Sequence, residues 1–174
     1  NLVGDAAATP VHGDPATSVT GVSLDTSTVR PGDLWAALPG ARAHGADFVD
    51  KALAAGAVAV LTDADGASRL QAKGSDLPFV VVERPREVLG RVAAAVYDSG
   101  DRRCTMFGIT GTNGKTTTAY LMVSALEALA HTTGLIGTIE TRIGDERIKS
   151  VRTTPETTDL HALLATMGER GIDD

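Results

Sequence analysis

The sequence predicts an α/β fold in two domains, a small N-terminal α/β domain followed by the start of a parallel-sheet domain. Short apolar strands alternate with amphipathic helices from Val19 onward, which is typical of α/β units. A polar stretch at residues 99–103 separates two such series. In the second series, a glycine-bearing turn at residues 108–114 joins a strand to a helix. We therefore place the domains at residues 1–100 and 101–174.

Composition limits the classes of protein to which the chain can belong. Its 174 residues are 43% apolar and 22% charged, which is typical of a soluble globular protein with a core. The formal net charge of -6 disfavours extended binding to nucleic acid or to anionic membranes. One cysteine, Cys104, excludes an internal disulfide framework and favours a reducing, cytoplasmic location. No stretch of the sequence approaches the ~20 apolar residues of a membrane span. The sequence does not indicate the oligomeric state.

The first domain is predicted to begin with an irregular arm and two strands. Residues 1–18 lack periodicity, so we expect no regular element there. Strands are predicted within residues 19–24 and 34–38, and a polar loop joins them.

Two rounds of helix and strand complete this domain. A helix is predicted from the apolar spacing of Phe48, Val49, Ala52 and Leu53. A buried strand follows at residues 57–61. The second round is a strand at residues 78–82 and an amphipathic helix at residues 86–97.

The second domain is predicted to open with a crossover unit. A strand at residues 104–109, starting with Cys104 in the core, leads into a helix at about residues 115–130, and a strand follows at 134–139. The helix is expected to face inward through four apolar residues, Met122, Val123, Leu126 and Leu129.

A hairpin and a last helix follow. The hairpin spans residues 142–148, with Gly144 and Asp145 at its tip. The helix is predicted to be capped by Thr154 and to end at Gly171. Because the alternation requires a further strand after residue 174, we expect this domain to be incomplete in the chain.

The strongest chemical signal is the turn Gly108-Ile-Thr-Gly-Thr-Asn-Gly-Lys-Thr-Thr-Thr118 between a strand and a helix. Backbone N–H groups of such a turn, together with the helix dipole, attract phosphate. Lys115 would neutralise charge on a transferred phosphoryl group, and the Thr116 hydroxyl would ligate Mg²⁺. The predicted ATP-binding residues are Gly111, Thr112, Asn113, Gly114, Lys115, Thr116 and Thr117, of which Lys115 and Thr116 are the catalytic candidates.

The motif is a variant of the common P-loop, because Ile109 stands where the first glycine is usual. Its glycines are three residues apart, so the dinucleotide fingerprint is absent and a nicotinamide or flavin cofactor is disfavoured. A glycine-rich turn with a surface lysine is the alternative. No nucleophile stands out, and a surface or packing role is predicted for each of the four histidines, His12, His44, His131 and His161.

The segment Thr110-Gly-Thr-Asn-Gly-Lys-Thr-Thr117 resembles the ATP loop of the Mur ligases and of the related folylpolyglutamate synthetases. Further segments resemble the Mur ligases that add the third peptide residue, the MurE type. They are Gly21-Val-Ser-Leu-Asp-Thr-Ser27, Arg30-Pro-Gly-Asp-Leu-Trp-Ala-Ala-Leu-Pro-Gly40, His44-Gly-Ala-Asp-Phe48, Ala55-Gly-Ala-Val-Ala-Val-Leu-Thr62, Gly134-Leu-Ile-Gly-Thr-Ile-Glu-Thr141 and Thr153-Thr-Pro-Glu156.

The resemblance implies ligand contacts at particular positions. The N-terminal domain would bind the uridine diphosphate end of the substrate through Leu24, Thr26 and the main chain of Ala41, Arg42 and Ala43. Thr153 and Thr154 would contact the muramyl-dipeptide portion. A polar turn at residues 25–27 and a helix cap at Thr154 are the structural alternatives.

The chain departs from the family pattern at several positions. Asp25-Thr26-Ser27 stands where Asp-Ser-Arg is usual, so a guanidinium is missing, and His161 stands where glutamine is common. The resemblance also implies a metal-binding glutamate, a carbamylated lysine and a C-terminal domain beyond residue 174. We expect the chain alone not to complete catalysis.

The resemblance predicts an ATP-dependent ligase that joins a diamino acid to UDP-N-acetylmuramoyl-L-alanyl-D-glutamate through an acyl phosphate. Its cofactors would be ATP and Mg²⁺. The sequence leaves open whether the amino acid is meso-diaminopimelate or L-lysine. Two alternatives stay open, another Mur ligase or folylpolyglutamate synthetase-like enzyme, and a noncatalytic nucleotide-binding module.

Overall fold

The computed structural model describes residues 9–14, 16–100, 104–149 and 155–174. The chain divides into two compact units, Asn1–Asp98 and Ser99–Asp174. In the described ranges, no helix has the length and apolar character needed to cross a bilayer. The role of each unit remains a prediction.

A five-stranded sheet forms the centre of the first unit, with the strand order β1-β5-β4-β3-β2. Strands β2 to β5 run parallel, and β1 pairs antiparallel with β5 at one edge. The strands are β1 (Thr9–His12), β2 (Gly21–Ser23), β3 (Asp33–Ala36), β4 (Ala59–Thr62) and β5 (Phe79–Val81). The predicted α/β fold class is therefore confirmed, and the parallel strands lie in this first unit.

Helices cover both faces of this sheet. A 3-10 helix (Gly45–Phe48) and α1 (Val49–Ala54) connect β3 to β4, and α2 (Ala64–Ala72) connects β4 to β5. After β5, α3 (Pro85–Val96) packs through Val88, Leu89 and Val92 on the opposite face. The first unit is thus a three-layer α/β/α arrangement.

Alternation along β3 explains why the sheet is buried on both sides. Leu34 and Ala36 belong to the apolar cluster that contains α3, whereas Trp35 and Ala37 belong to the cluster that contains α1 and α2. Because both faces are covered, the strand reads as a continuous apolar run.

The first unit differs from prediction at two elements, β1 and α2. Part of the predicted irregular arm forms β1, whose pairing at the sheet edge is made by main-chain groups and needs no apolar periodicity. Helix α2 was not predicted, because Leu70 is the only large apolar residue among the buried residues of the helix. The helix predicted from the spacing of Phe48, Val49, Ala52 and Leu53 is confirmed as the 3-10 helix and α1, in which Val49 and Ala52 are buried and Phe48 and Leu53 are exposed.

The second unit contains two helices and a three-stranded antiparallel sheet in the described ranges 104–149 and 155–174. Helix α4 precedes the sheet and α5 follows it. The elements are α4 (Lys115–Ala128), β6 (Gly134–Ile136), β7 (Glu140–Ile143), β8 (Glu146–Lys149) and α5 (Thr157–Glu169). The predicted hairpin is confirmed as β7 and β8, which turn at Gly144.

The predicted crossover unit is not formed. Residues 104–109 form no strand with the described residues, and the Thr105 N–H donates a backbone hydrogen bond of 2.9 Å to the Asp173 carbonyl. β6 pairs antiparallel with β7 instead. Cys104 is half-buried rather than in the core, and its segment joins no sheet among the described residues.

The C-terminal end of α4 and the N-terminal end of α5 also differ from prediction. Leu129 is 70% exposed because α4 ends at Ala128 and no described element covers this position. The N-cap of α5 is Glu156 rather than Thr154, since the extended backbone of Glu156 delays the helix to Thr157. Gly171 follows α5 with a φ of 69°, as predicted for a helix C-terminus.

Replacing Leu61 by alanine is predicted to destabilise the first unit by about 2–5 kcal/mol, because this side chain is 1% exposed in the α3 cluster. Leu53→Ala is the matched control, since its side chain is 53% exposed. Urea unfolding followed by fluorescence of Trp35, the single tryptophan, measures both free energies of unfolding. Equal losses in the two variants would contradict this core assignment.

Candidate functional site

The glycine-rich turn leads directly into α4 through a left-handed residue. Gly114 is the N-cap of α4 and has a φ of 80°, a conformation that glycine adopts without strain. A Cβ added at Gly108 or Gly114 would meet no atom within 4 Å, and one at Gly111 would meet only the Asn113 carbonyl oxygen at 3.5 Å. The turn therefore leaves open space over its main chain.

The first turn of α4 offers unpaired main-chain donors. The first hydrogen bond of the helix runs from Thr118 N–H to the Gly114 carbonyl at 2.9 Å. The N–H groups of Lys115, Thr116 and Thr117 thus have no acceptor within the helix. The sequence of this turn carries no carboxylate, so the positive end of the helix dipole is not neutralised locally. These groups suit an anion such as phosphate.

The ammonium group of Lys115 lies across the turn. Its Nζ donates a hydrogen bond of 2.6 Å to the Gly111 carbonyl oxygen. The cation is therefore held at the mouth of the open space bounded by Gly111 and Gly114. A bound phosphate would offer this ammonium a charged acceptor in place of a neutral carbonyl.

Thr116 is the predicted magnesium ligand, and the structure places it in the first turn of α4. Its side chain is half-buried and lines a cavity of about 440 Å³ beside the turn. No group of three or more histidine, cysteine or acidic residues in the described ranges could hold a metal ion. A single hydroxyl fits Mg²⁺ that takes its other ligands from phosphate and water, which is the usual arrangement for this ion.

The cavity beside the turn is mostly apolar but has one polar pair in its wall. The Tyr120 hydroxyl donates a hydrogen bond of 2.9 Å to Glu140 Oε1. This bond, followed by burial, raises the pKa of Tyr120. The phenol is therefore neutral at physiological pH and acts here as a donor.

The predicted uridine contacts lie at the carboxyl ends of two neighbouring parallel strands. Leu24 and Thr26 follow β2, and residues 41–43 follow β3. Because β2 and β3 pair in parallel with Ser23 opposite Trp35, both segments emerge at the same edge of the sheet. This edge is where open α/β sheets usually bind ligands. Residues 41–43 are exposed, and Leu24 and Thr26 are half-buried.

The turn after β2 is internally hydrogen-bonded. Asp25 Oδ1 accepts hydrogen bonds of 2.9 Å from both the N–H and the hydroxyl of Ser27, and the Thr28 hydroxyl donates to the Asp25 carbonyl at 2.9 Å. The Ser23 and Thr28 hydroxyls are 2.7 Å apart. A polar turn accounts for these contacts, so they do not distinguish a uridine contact at Thr26 from the structural alternative.

The two remaining predicted site residues, Thr153 and Thr154, lie outside the described residues. Two of the histidines, for which a surface or packing role is predicted, have hydrogen-bond partners. His44 is buried and hydrogen-bonded to Asp63, a pairing that sequence reasoning missed because the two residues are 19 positions apart. His161 Nδ1 lies 2.7 Å from the Ser99 hydroxyl, and burial lowers the pKa of His161.

The fold and the turn define a class of α/β protein in which a glycine-rich turn at a helix N-terminus can hold phosphate. Two family models match this chain. The model described as "Mur ligase family, catalytic domain" matches residues 18–97, and "Mur ligase middle domain" matches residues 109–173. The chain belongs to the Mur ligase family.

Several curated relatives are similar to the chain. A UDP-N-acetylmuramoyl-L-alanyl-D-glutamate--2,6-diaminopimelate ligase of Streptomyces avermitilis is 61% identical over 155 residues, covering 89% of this chain and 30% of the relative. A UDP-N-acetylmuramyl-tripeptide synthetase of Leifsonia xyli is 51% identical, covering 93% and 31%. A diaminopimelate ligase of Corynebacterium glutamicum is 41% identical, covering 98% and 33%. The chain thus spans about a third of the length of these relatives.

Solved structures share the fold. A UDP-N-acetylmuramoyl-L-alanyl-D-glutamate--2,6-diaminopimelate ligase has a TM-score of 0.70 at 23% identity, covering 89% of this chain and 30% of that one. The MurF ligase of Thermotoga maritima in complex with ADP has a TM-score of 0.52 at 24% identity, covering 85% and 29%. At these identities the similarity supports the fold alone.

Replacing Gly114 by alanine is predicted to cost about 1–2 kcal/mol, because an L side chain is strained at its φ of 80°. Gly108→Ala is the matched control, since that position is equally open and does not have a positive φ. Hydrogen exchange at the Thr118 amide, the first hydrogen-bonded amide of α4, should become faster only in Gly114→Ala. Equal exchange rates in both variants would contradict the role given to Gly114.

His161 is predicted to make the second unit less stable as the pH falls below its ordinary pKa of about 6.5. Burial lowers the pKa in the folded state, so the unfolded chain takes up a proton at a higher pH than the folded chain does. Hydrogen exchange of α5 amides at pH 7.5 and 5.5 measures this loss. His161→Asn, which keeps an acceptor for Ser99, should lose less stability between the two pH values. An unchanged loss would rule out His161 as the source.

Proposed function

We propose that this chain supplies the UDP-substrate and ATP-binding parts of a ligase that adds a diamino acid to UDP-N-acetylmuramoyl-L-alanyl-D-glutamate. The observation that carries the proposal is the turn at residues 108–114. It opens onto the unpaired N–H groups of α4, and the Lys115 ammonium lies 2.6 Å from the Gly111 carbonyl oxygen. The names of the curated relatives support the same activity and none of the alternatives.

The reaction requires activation of a carboxylate. The terminal D-glutamate carboxylate oxygen would attack the γ-phosphorus of ATP, the bond to ADP would break, and an acyl phosphate would result. An amine of the diamino acid would then attack the acyl carbon, phosphate would leave, and the nitrogen would lose a proton. Phosphate is a far better leaving group than the oxygen of a free carboxylate, which is why ATP is consumed.

The residues of the turn would bind and orient the nucleotide. Residues 111–117 would hold its phosphates through main-chain N–H groups. The Lys115 ammonium would exchange the Gly111 carbonyl for a phosphate oxygen and offset the charge that develops during phosphoryl transfer. Thr116 would ligate Mg²⁺, which neutralises charge on the β and γ oxygens when bound. Most of the catalytic effect would come from positioning and charge, so no protein nucleophile is required.

The other substrate would bind at the sheet edge of the first unit. Leu24, Thr26 and the main chain of residues 41–43 would contact its uridine diphosphate end, and Thr153 and Thr154 its muramyl dipeptide. The printed names of the Streptomyces and Corynebacterium relatives favour 2,6-diaminopimelate as the amino acid. Nucleotide substrates and a single cysteine favour a cytoplasmic location.

Lys115→Ala is predicted to weaken Mg-ATP binding about 10- to 100-fold, because the variant loses a charged hydrogen-bond donor to phosphate. Calorimetry of the chain with Mg-ATP, and separately with UDP-N-acetylmuramoyl-L-alanyl-D-glutamate, measures both dissociation constants. Lys149→Ala is the matched control, since this lysine is exposed on β8 of the same unit.

The wild-type chain and the Lys149→Ala variant should bind both ligands alike, and Lys115→Ala should bind the UDP substrate normally. Wild-type chain that binds neither ligand would contradict the proposed function. Loss of both ligands in Lys115→Ala would contradict the assignment of the nucleotide to the turn.

A further inference from the structure

His44 forms a buried polar connection beneath the loop that follows β3. Its side chain is enclosed, with the residue 6% exposed. Nδ1 accepts a hydrogen bond of 3.0 Å from the Ala46 N–H, which caps the 3-10 helix. Nε2 lies 3.1 Å from Asp63 Oδ1 at the start of α2. The imidazole therefore joins two segments that are distant in sequence.

The hydrogen bond to Nδ1 determines the tautomer of His44. Because the Ala46 N–H donates to Nδ1, this nitrogen carries no hydrogen, and the proton of the neutral ring lies on Nε2. Nε2 therefore donates to Asp63. The same Asp63 oxygen accepts a hydrogen bond of 2.8 Å from the Gly66 N–H and so caps α2. One carboxylate thus serves both the helix and the histidine.

The first turn of α2 packs closely against this pair at Gly66. A Cβ added at Gly66 would lie 1.9 Å from Thr62 Oγ1 and 2.6 Å from His44 Cε1, so only glycine allows this close approach. The Thr62 hydroxyl donates a buried hydrogen bond of 2.8 Å to the Ala37 carbonyl. The end of β4 and the start of α2 thereby hold the end of β3.

The loop above the pair is closed by main-chain contacts. Pro39 and His44 form an isolated β-bridge, and the Gly40 N–H donates to the Ala43 carbonyl at 3.2 Å. The Gly45 N–H donates to the Leu38 carbonyl at 2.8 Å. Residues 41–43 are exposed at the tip, whereas His44 is buried at the base. The conformation of the tip therefore depends on where the base is held.

We infer that His44 and Asp63 are positioning residues for the substrate, and that their hydrogen bond holds residues 41–43 where the main chain meets its uridine diphosphate end. The inference rests on the proposed function of residues 41–43. Neither side chain needs to touch the substrate, because both act through the loop. A preorganised loop would bind without first losing conformational freedom.

Two substitutions remove this hydrogen bond while keeping each local cap. His44→Asn retains an oxygen that accepts from the Ala46 N–H but is too short to reach Asp63. Asp63→Ser retains a hydroxyl that caps α2 at the Gly66 N–H but loses the carboxylate. Arg69→Ala is the matched control, since Arg69 joins α2 to Asp47 of the 3-10 helix at 2.9 Å on the surface.

Calorimetry with UDP-N-acetylmuramoyl-L-alanyl-D-glutamate measures the effect on the full chain. Each of His44→Asn and Asp63→Ser should weaken binding about five- to tenfold, and the double variant should be no weaker than either single variant. Mg-ATP binding and the Arg69→Ala variant should show no change. In the absence of ligand, hydrogen exchange at the Gly45 amide should be faster in the two single variants than in Arg69→Ala.

Three outcomes would overturn the inference. They are unchanged substrate binding in both single variants, additive losses in the double variant, and an equal loss in Arg69→Ala, which would reveal a general effect on stability. Wild-type chain that binds Mg-ATP but not the UDP substrate would instead show that the proposed role of residues 41–43 is wrong, and the inference would fail with it.

Discussion

The proposed phosphate site depends on unpaired main-chain N–H groups at the start of α4. They exist because a helix cannot satisfy its own first donors, and they remain accessible because Gly114 enters the helix with a φ of 80° and without a side chain. A phosphate site of this kind is local and needs no basic surface, which is compatible with the net charge of -6. Lys115 adds one cation at the same place.

In the first unit, the candidate ligand-binding surface depends on how the strands pair. Parallel pairing of β2 and β3 brings the segments that follow them to one edge of the sheet, whatever their side chains are. The polar turn at residues 25–28 forms hydrogen bonds within itself. The hydrogen bond between His44 and Asp63 lies at the base of the loop after β3. A rigid sheet thus carries an exposed loop tip, an arrangement that is common for ligand-binding segments.

A helix or strand could be predicted from the sequence where its buried side chains form a clear apolar pattern. The apolar run of β3 and the apolar face of α3 were readable because both pack inside the unit. Helix α2 has Leu70 as its one large buried apolar side chain and left a weak pattern. The prediction of a strand at residues 104–109 is wrong, because an apolar run does not specify which strand will pair with it.

The candidate sites also differ in how much of them the sequence could predict. The turn at residues 108–114 could be predicted as a candidate site because its conformation depends on local main-chain geometry. The connection from His44 to Asp63 could not, since it exists only after β3 and β4 are paired. The predicted uridine contacts rested on resemblance, and the structure adds that their segments follow adjacent parallel strands.

An amide-resolved NMR titration of the isotope-labelled chain with Mg-ATP tests whether the turn at residues 108–114 binds the nucleotide. The largest chemical-shift changes should fall on the amides of residues 111–117, and the amides of residues 41–43 should not shift. Unchanged amides at residues 111–117 in the presence of saturating nucleotide would contradict this nucleotide site.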